Sequence, residues 1–265
     1  MNKAYYILFL LAALLAGCSF KLKPTEENEG NRVEVKRYDR LQARYLTTGD
    51  FSALQQMNTN YPMETRTLVE DVLQLGEVND PEINTTFLNF YQDTLLQTVI
   101  VDVESQYADM DDINEQLSKA FEHLCRMLPN TEIPVIYSQI GAFDQSIVIG
   151  DKAIGICLDK YLGVNYPAYK KFYSVQQRAS MQRRNIVPDC LNFYLVSLYP
   201  MENYDTRSQR EKDLHMGKIM WTVNRVLGKE FFKGPFVNEI HGYMRKHPGV
   251  TVRQLLENDD YSVFK

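Results

Sequence analysis

The chain has 265 residues, of which 45% are hydrophobic and 24% charged, and its net charge is −5. Those proportions exclude wholesale disorder and allow one large domain or two small ones. The acidic balance excludes the general basic field that nucleic-acid binding needs. Tyrosine and phenylalanine are plentiful, at 17 and 13. They suit packed, half-wet surfaces and equally the lining of a binding groove.

In chain order, Lys3 supplies a short positive start and Tyr5 to Leu15 an apolar run. The run has the length of a signal-peptide core and is short for a membrane-spanning helix. Leu15-Ala16-Gly17-Cys18 follows and resembles a bacterial lipobox. Small residues fit the peptidase subsite, and the Cys18 thiol takes the lipid. The competing reading is an uncleaved anchor with an incidental cysteine. The lipobox reading divides the chain into a signal peptide (1–17), a lipidated Cys18 with a polar tether (18–32) and a globular domain (33–265). The expected partner of Cys18 is the membrane, through acyl chains that anchor without spanning. No acidic run follows Cys18, and Ser19 comes next. The first favours the periplasmic face, and the second, Ser19 in place of Asp, the outer membrane.

From Val33 to Ala108 the pattern predicts short helices. Asp50 is a cap before Phe51 and Leu54, and Pro62 suits a first helical position. Asp80-Pro81 is a further start signal ahead of Ile83, Phe87, Phe90 and Tyr91. Leu95 to Val103 is read as a buried helix. Asp109 to Leu128 is the strongest helix, with Ile113, Leu117, Ala120, Phe121, Leu124 and Leu128 on one face. Its acidic start suits the positive helix end, and His123 falls on the polar side.

Ile133 to Gly163 is the one long region with strand chemistry. Ile133–Ile140, Ser146–Ile149 and Ala153–Leu158 predict a three-stranded sheet. Gly150-Asp151-Lys152 is the expected hairpin turn, with Gly150 tolerating a positive φ. Beyond the sheet, Pro188–Leu198, Arg207–Leu227 with Gly228 as C-cap, Phe236–Lys246 and Val252–Leu256 with Thr251 as N-cap are predicted helices. The fold class is therefore α+β: a helix-rich single domain with a small sheet.

Between Lys160 and Pro188 there is no acidic residue. Lys160, Lys170, Lys171, Arg178, Arg183 and Arg184 are interleaved there with Tyr161, Tyr166, Tyr169, Phe172 and Tyr173. One reading is a surface for an anionic partner, such as lipid phosphates, cell-wall polymer or an acidic protein face. The other is a solvated basic face that pairs with acidic helices of the same fold.

The chemistry-bearing motifs are missing. There is no HExxH, HxH, GxSxG, Walker A loop or GxGxxG, so no cofactor or metal is expected. Asp144, Asp151 and Asp159 cluster around the strands. A carboxylate site near Asp144, Asp159 and Asp189 is the alternative, enzymatic reading, that of an envelope hydrolase. Cys125, Cys157 and Cys190 lack metal-ligand spacing. They are three core residues, or one disulfide and a free thiol.

Several segments together resemble the gliding-motility lipoprotein GldB family of Bacteroidota. They are Arg37-Tyr38-Asp39-x-Leu41, Ile136-Tyr137, Gly141-x-Phe143-Asp144, Val148 with Asp151-Lys152, Gly155-Ile156-x-Leu158-Asp159-Lys160-Tyr161-Leu162-Gly163, Tyr166, Tyr169, Ile186-Val187-Pro188-Asp189 and Gly217-Lys218-Ile219-Met220. The likeness spans about residues 33 to 250, and the lipobox agrees with it. It implies an envelope lipoprotein of the gliding or export machinery that binds a protein or cell-wall partner and has no established enzymatic activity. It also implies distant kinship with HExxH zinc proteases, and so a degenerate protease-like scaffold. The helix that would carry the motif, at Pro188-Asp189-Cys190-Leu191-Asn192-Phe193, has no histidine, and the later helix at Met216-Gly217-Lys218 lacks the third-ligand Glu. Asp93-Thr94-Leu95 resembles the O-glycosylation signal of those bacteria.

Overall fold

The computed structural model describes residues 32–264, and Asn31–Lys265 form one compact unit. The signal peptide, Cys18 and most of the tether lie outside the described residues.

Twelve α-helices and a three-stranded sheet make up the described chain. The first helices are α1 (Tyr38–Thr48), α2 (Phe51–Asn60) and α3 (Pro62–Arg66), which runs on as a π-helical turn at Thr67–Val72. Asp50 caps α2 by accepting from the Ser52 N–H at 2.8 Å, and Pro62 opens α3. α4 is Ile83–Phe90, two residues later than the Asp80-Pro81 signal predicts. Asp80 instead closes the preceding turn, accepting from the Glu82 N–H at 2.8 Å. α5 is Thr94–Gln106 and α6 is Asp111–Met127. All six apolar positions read from the α6 region are buried.

The strands are β1 (Val135–Gln139), β2 (Ile147–Gly150) and β3 (Ala153–Cys157), in spatial order β1-β3-β2. β3 is central: it pairs parallel with β1 and antiparallel with β2. Lys36 adds one further parallel bridge on the free side of β1, opposite Tyr137. The hairpin differs from expectation in one respect. Gly150 pairs with Ala153, so Asp151 and Lys152 form the turn, and the positive φ of 54° falls on Lys152.

After the sheet come two short helices, α7 (Tyr169–Phe172) and α8 (Val175–Arg178). α9 spans Ile186–Leu198, so Pro188 sits inside its first turn. α10 (Gln209–Leu227) starts on a Ser208–Glu211 capping box and ends at Gly228 in the left-handed region, φ 65°. α11 (Pro235–Lys246) and α12 (Val252–Glu257) close the fold, with Thr251 capping α12.

One large core joins the sheet to α1, α2, α4–α6, α9 and one face of α10. A second, smaller cluster gathers Leu214, Trp221, Val237, Ile240, Leu255, Tyr261 and Phe264 between α10, α11 and the C-terminus. Gly217 lets α11 approach α10. A Cβ there would stand 3.1 Å from the Phe236 backbone, closer than nearly all real contacts.

Candidate functional site

The region after β3 is built around Asp159, which is fully buried. Its carboxylate accepts from the N–H groups of Gly141 at 2.7 Å and Phe143 at 2.6 Å. These bonds hold the β1–β2 loop where Ala142 and Phe143 both take left-handed φ values, 51° and 67°. Non-glycine residues adopt that conformation only when the surroundings impose it. Burial pushes the Asp159 carboxyl upward, against the pull of the two N–H groups. Gln42 and Tyr91 pin the start of the loop, both donating to the Ile140 carbonyl, at 2.7 and 2.6 Å.

Tyrosines fix the residues that follow. The Tyr107 hydroxyl donates to the Tyr161 carbonyl at 2.7 Å, and the Tyr166 hydroxyl to Asp102 at 2.8 Å. Buried Tyr169 donates to the Asp159 carbonyl and accepts from the Leu162 N–H at 3.0 Å. Tyr173 donates to the Phe143 carbonyl at 2.7 Å. Lys160 Nζ donates to that same carbonyl and to the Tyr173 hydroxyl, each at 3.1 Å.

Of these residues Lys160, Tyr161 and Tyr173 wall a cleft of about 220 Å³, which Ser146, Gln177 and Asp189, among others, complete. Asp189 enters from the first turn of α9, and its Oδ2 accepts from the Tyr161 hydroxyl at 2.9 Å. Burial pushes this carboxyl up to about 7, opposed by the Tyr161 hydrogen bond. The cleft thus offers a carboxyl poised at neutral pH beside an ammonium that has no ion-pair partner among the described residues. That combination can donate and accept hydrogen bonds to a polar ligand.

The three carboxylates of the hydrolase reading do not converge. Asp144 is exposed on its loop and Asp159 is sealed behind the loop it braces; only Asp189 lines the cleft. Asp151 lies elsewhere, in the hairpin turn beside a wider hollow of about 660 Å³. Charges there pair with each other, Lys152 with Glu132 at 3.2 Å and Arg253 with Glu257 at 3.6 Å.

The basic aromatic segment divides in two. Tyr161 and Tyr169 are buried, and Tyr166 is tied to Asp102. Arg178 donates to the Val164 carbonyl at 3.1 Å. Arg183 is spent on α6, reaching Asp112 at 3.1 Å and the Asp109 carbonyl at 2.8 Å. Lys170, Lys171 and Arg184 are exposed and form no ion pair among the described residues. Phe172 and Val175 stand beside them, 59% and 71% exposed. Sequence reasoning missed Ser146 and Gln177, which carry no pattern of their own and matter only through position.

The positions where the protease resemblance looks for ligands are filled otherwise. Cys190 is buried, and Lys218 turns into the small C-terminal core, donating to the carbonyls of Asn258 at 2.7 Å and Leu256 at 3.3 Å. Among the described residues no three His, Cys, Asp or Glu side chains come together as a metal site. Cys125, Cys157 and Cys190 are all free thiols. Thr94 is exposed at the first position of α5, where the Asp93 carboxylate accepts from the Leu95 N–H at 2.8 Å.

Fold and site together define a helix-rich α+β protein with a cleft that brings together two tyrosines, one lysine and one carboxyl. No helix among the described residues is long and apolar enough to cross a membrane. The family described as gliding motility protein GldB, a lipoprotein family, matches residues 20–231, and the chain belongs to it. Comparison with curated proteins and with solved structures gave no match.

Proposed function

We propose that the protein is a lipid-anchored component of the cell envelope that works by binding a protein or cell-wall partner and not by catalysis. The anchor is the lipid on Cys18, and the placement is the outer membrane, facing the periplasm. One observation supports the binding role most directly. Several residues of the 160–184 segment are bonded to the body, while Lys170, Lys171, Phe172, Val175 and Arg184 remain exposed. Cations and apolar groups held side by side on a rigid support suit an anionic partner with an apolar contact.

Photo-crosslinkers at Phe172 and Val175 in intact cells test this. The expected result is one envelope partner, lost in a Lys170→Glu/Lys171→Glu variant. Equal capture from Phe51, an exposed residue at the start of α2, would count against it.

A second reading rests on Asp189. A carboxyl near 7 beside Tyr161 and Lys160 has the titration that general acid–base chemistry uses at neutral pH. In that case the protein hydrolyses envelope material with Asp189 as the single titrating group. Turnover of cell-wall fragments that Asp189→Asn abolishes would establish it; no turnover by the native protein would dismiss it.

A further inference from the structure

A second hollow, of about 270 Å³, lies where the end of α10 meets α11. Arg225, Lys229, Lys233, Trp221, His241 and Glu230 line it. Its wall is preformed. The Asn224 carboxamide accepts from the N–H groups of Phe231 at 2.9 Å and Phe232 at 2.8 Å, and donates to the Phe232 carbonyl at 2.7 Å. These bonds fix the loop that carries Lys229 and Lys233. All three cations are exposed, and none forms an ion pair among the described residues. Arg207 and Arg210, at the opposite end of α10, by contrast both have carboxylate partners. In a chain of net charge −5, three cations against the single Glu230 are a local reversal that the fold leaves uncompensated.

The position of the hollow suggests what compensates it. His123 Nδ1 lies 2.9 Å from the Val226 carbonyl, so the end of α10 rests against one flank of α6. On the other flank, the Val33 N–H donates to Ser118 at 2.9 Å and the Val35 N–H to Asn114 at 3.0 Å. There the chain arriving from Cys18 joins the body. Ser118 and His123 are five residues apart, about 7.5 Å along a helix about 10 Å thick. Val226 faces α6 and the hollow opens on the α11 side of α10, so the hollow sits about two helix widths, roughly 20 Å, from the point of attachment. Residues 19–32 span at most about 50 Å even when fully extended. A membrane holding Cys18 is thus kept within reach of these cations, at the high local concentration that makes weak contacts count.

We propose that this hollow docks the body onto anionic phospholipid, with Arg225, Lys229 and Lys233 on the headgroup phosphates above the buried Trp221 that forms part of its floor. The proposal rests on the lipid anchor at Cys18 proposed above. Each cation near an anionic bilayer shifts the docked population about five-fold, and three shift it about 100-fold at low salt.

Trp221 is the one tryptophan in the chain, so its fluorescence reports on this hollow alone. The native lipidated protein is placed in vesicles carrying a headgroup-linked quencher. The bilayer is either neutral phosphatidylcholine or phosphatidylcholine with phosphatidylglycerol. Sedimentation with neutral vesicles reads the anchor; quenching reads docking. Quenching should rise with phosphatidylglycerol, fall back in high salt, and vanish in Arg225→Gln/Lys229→Gln/Lys233→Gln while sedimentation persists. The Lys229→Arg/Lys233→Arg protein should still dock. Equal quenching in neutral and anionic vesicles overturns the proposal, as does quenching indifferent to salt. A Trp221 response to inorganic phosphate equal to that with vesicles also overturns it, showing a site for soluble anions. Failure to sediment would instead break the anchor reading.

Discussion

Replacing Asp189 with asparagine should reverse part of the protein's response to pH. In the fold, burial holds the Asp189 carboxyl at about 7, whereas an exposed aspartate ionises near 4. The folded value lies above the unfolded one. Its contribution to stability is therefore fully present below about pH 4 and is lost as pH rises through 7, with no further change above. About three pH units at about 1.4 kcal/mol each give roughly 4 kcal/mol as the full excursion. The wild-type curve conceals this, because His215 acts in the opposite sense. Burial depresses His215 to about 4, so its contribution is present above about 6.5 and is lost as pH falls toward 4. Asparagine keeps an oxygen for the Tyr161 hydroxyl, cannot ionise, and leaves His215 untouched. The difference between variant and wild type isolates the carboxyl. Urea unfolding at half-unit steps from pH 4 to 8 should show the variant gaining on wild type by about 4 kcal/mol, mostly between pH 5 and 7, at unchanged m-value. Parallel curves over that window would show that Asp189 ionises normally and that the burial argument is wrong.

Three other outcomes follow from the same structure. Gly155→Ala would set a Cβ 2.6 Å from the Tyr137 hydroxyl and 2.7 Å from its ring Cζ across the β1–β3 pair; calorimetry should show a loss of about 1–3 kcal/mol, partly restored by Tyr137→Val, which removes the ring, and not by Tyr137→Phe. Asp159→Asn offers an amide where two N–H donors converge, so hydrogen exchange at Gly141 and Phe143 should accelerate and stability drop by about 1–3 kcal/mol. Native thiol titration should find Cys125, half-buried with its thiol pushed up by burial, reacting slowly, and Cys157 and Cys190 reacting only in denaturant.

Some of this was written locally. The apolar stripe of α6, the Asp50 and Thr251 caps, and Gly228 as the stop of α10 each depend on residues within one or two turns, so periodicity and capping chemistry reveal them. Predicted boundaries slipped where a neighbour intervened. Asp80 spent its side chain on a turn, and α9 began two residues before Pro188, because a proline within the first turn breaks no helical hydrogen bond.

The basic segment shows where local reading ends. Its composition is the same at Arg183 and Arg184, yet one clasps α6 and the other faces solvent. Which tyrosine packs inward depends on what stands opposite: Asp102 for Tyr166, Asp189 for Tyr161. Asp144, Asp159 and Asp189 look equivalent in the chain, and only burial separates a loop brace from a titrating wall of the cleft.

The amino-acid order alone settled the helix-rich α+β class, the number and approximate place of the strands and the family, because propensity, caps and motif spacing act between near neighbours. Tertiary structure alone decided that β3, the last strand in sequence, lies at the centre of the sheet. It also put Asp189 beside Tyr161, 28 residues away, and gathered three cations around Trp221. Pairings across such separations are chosen by which surfaces the whole chain can bury together, and no window of sequence carries that choice.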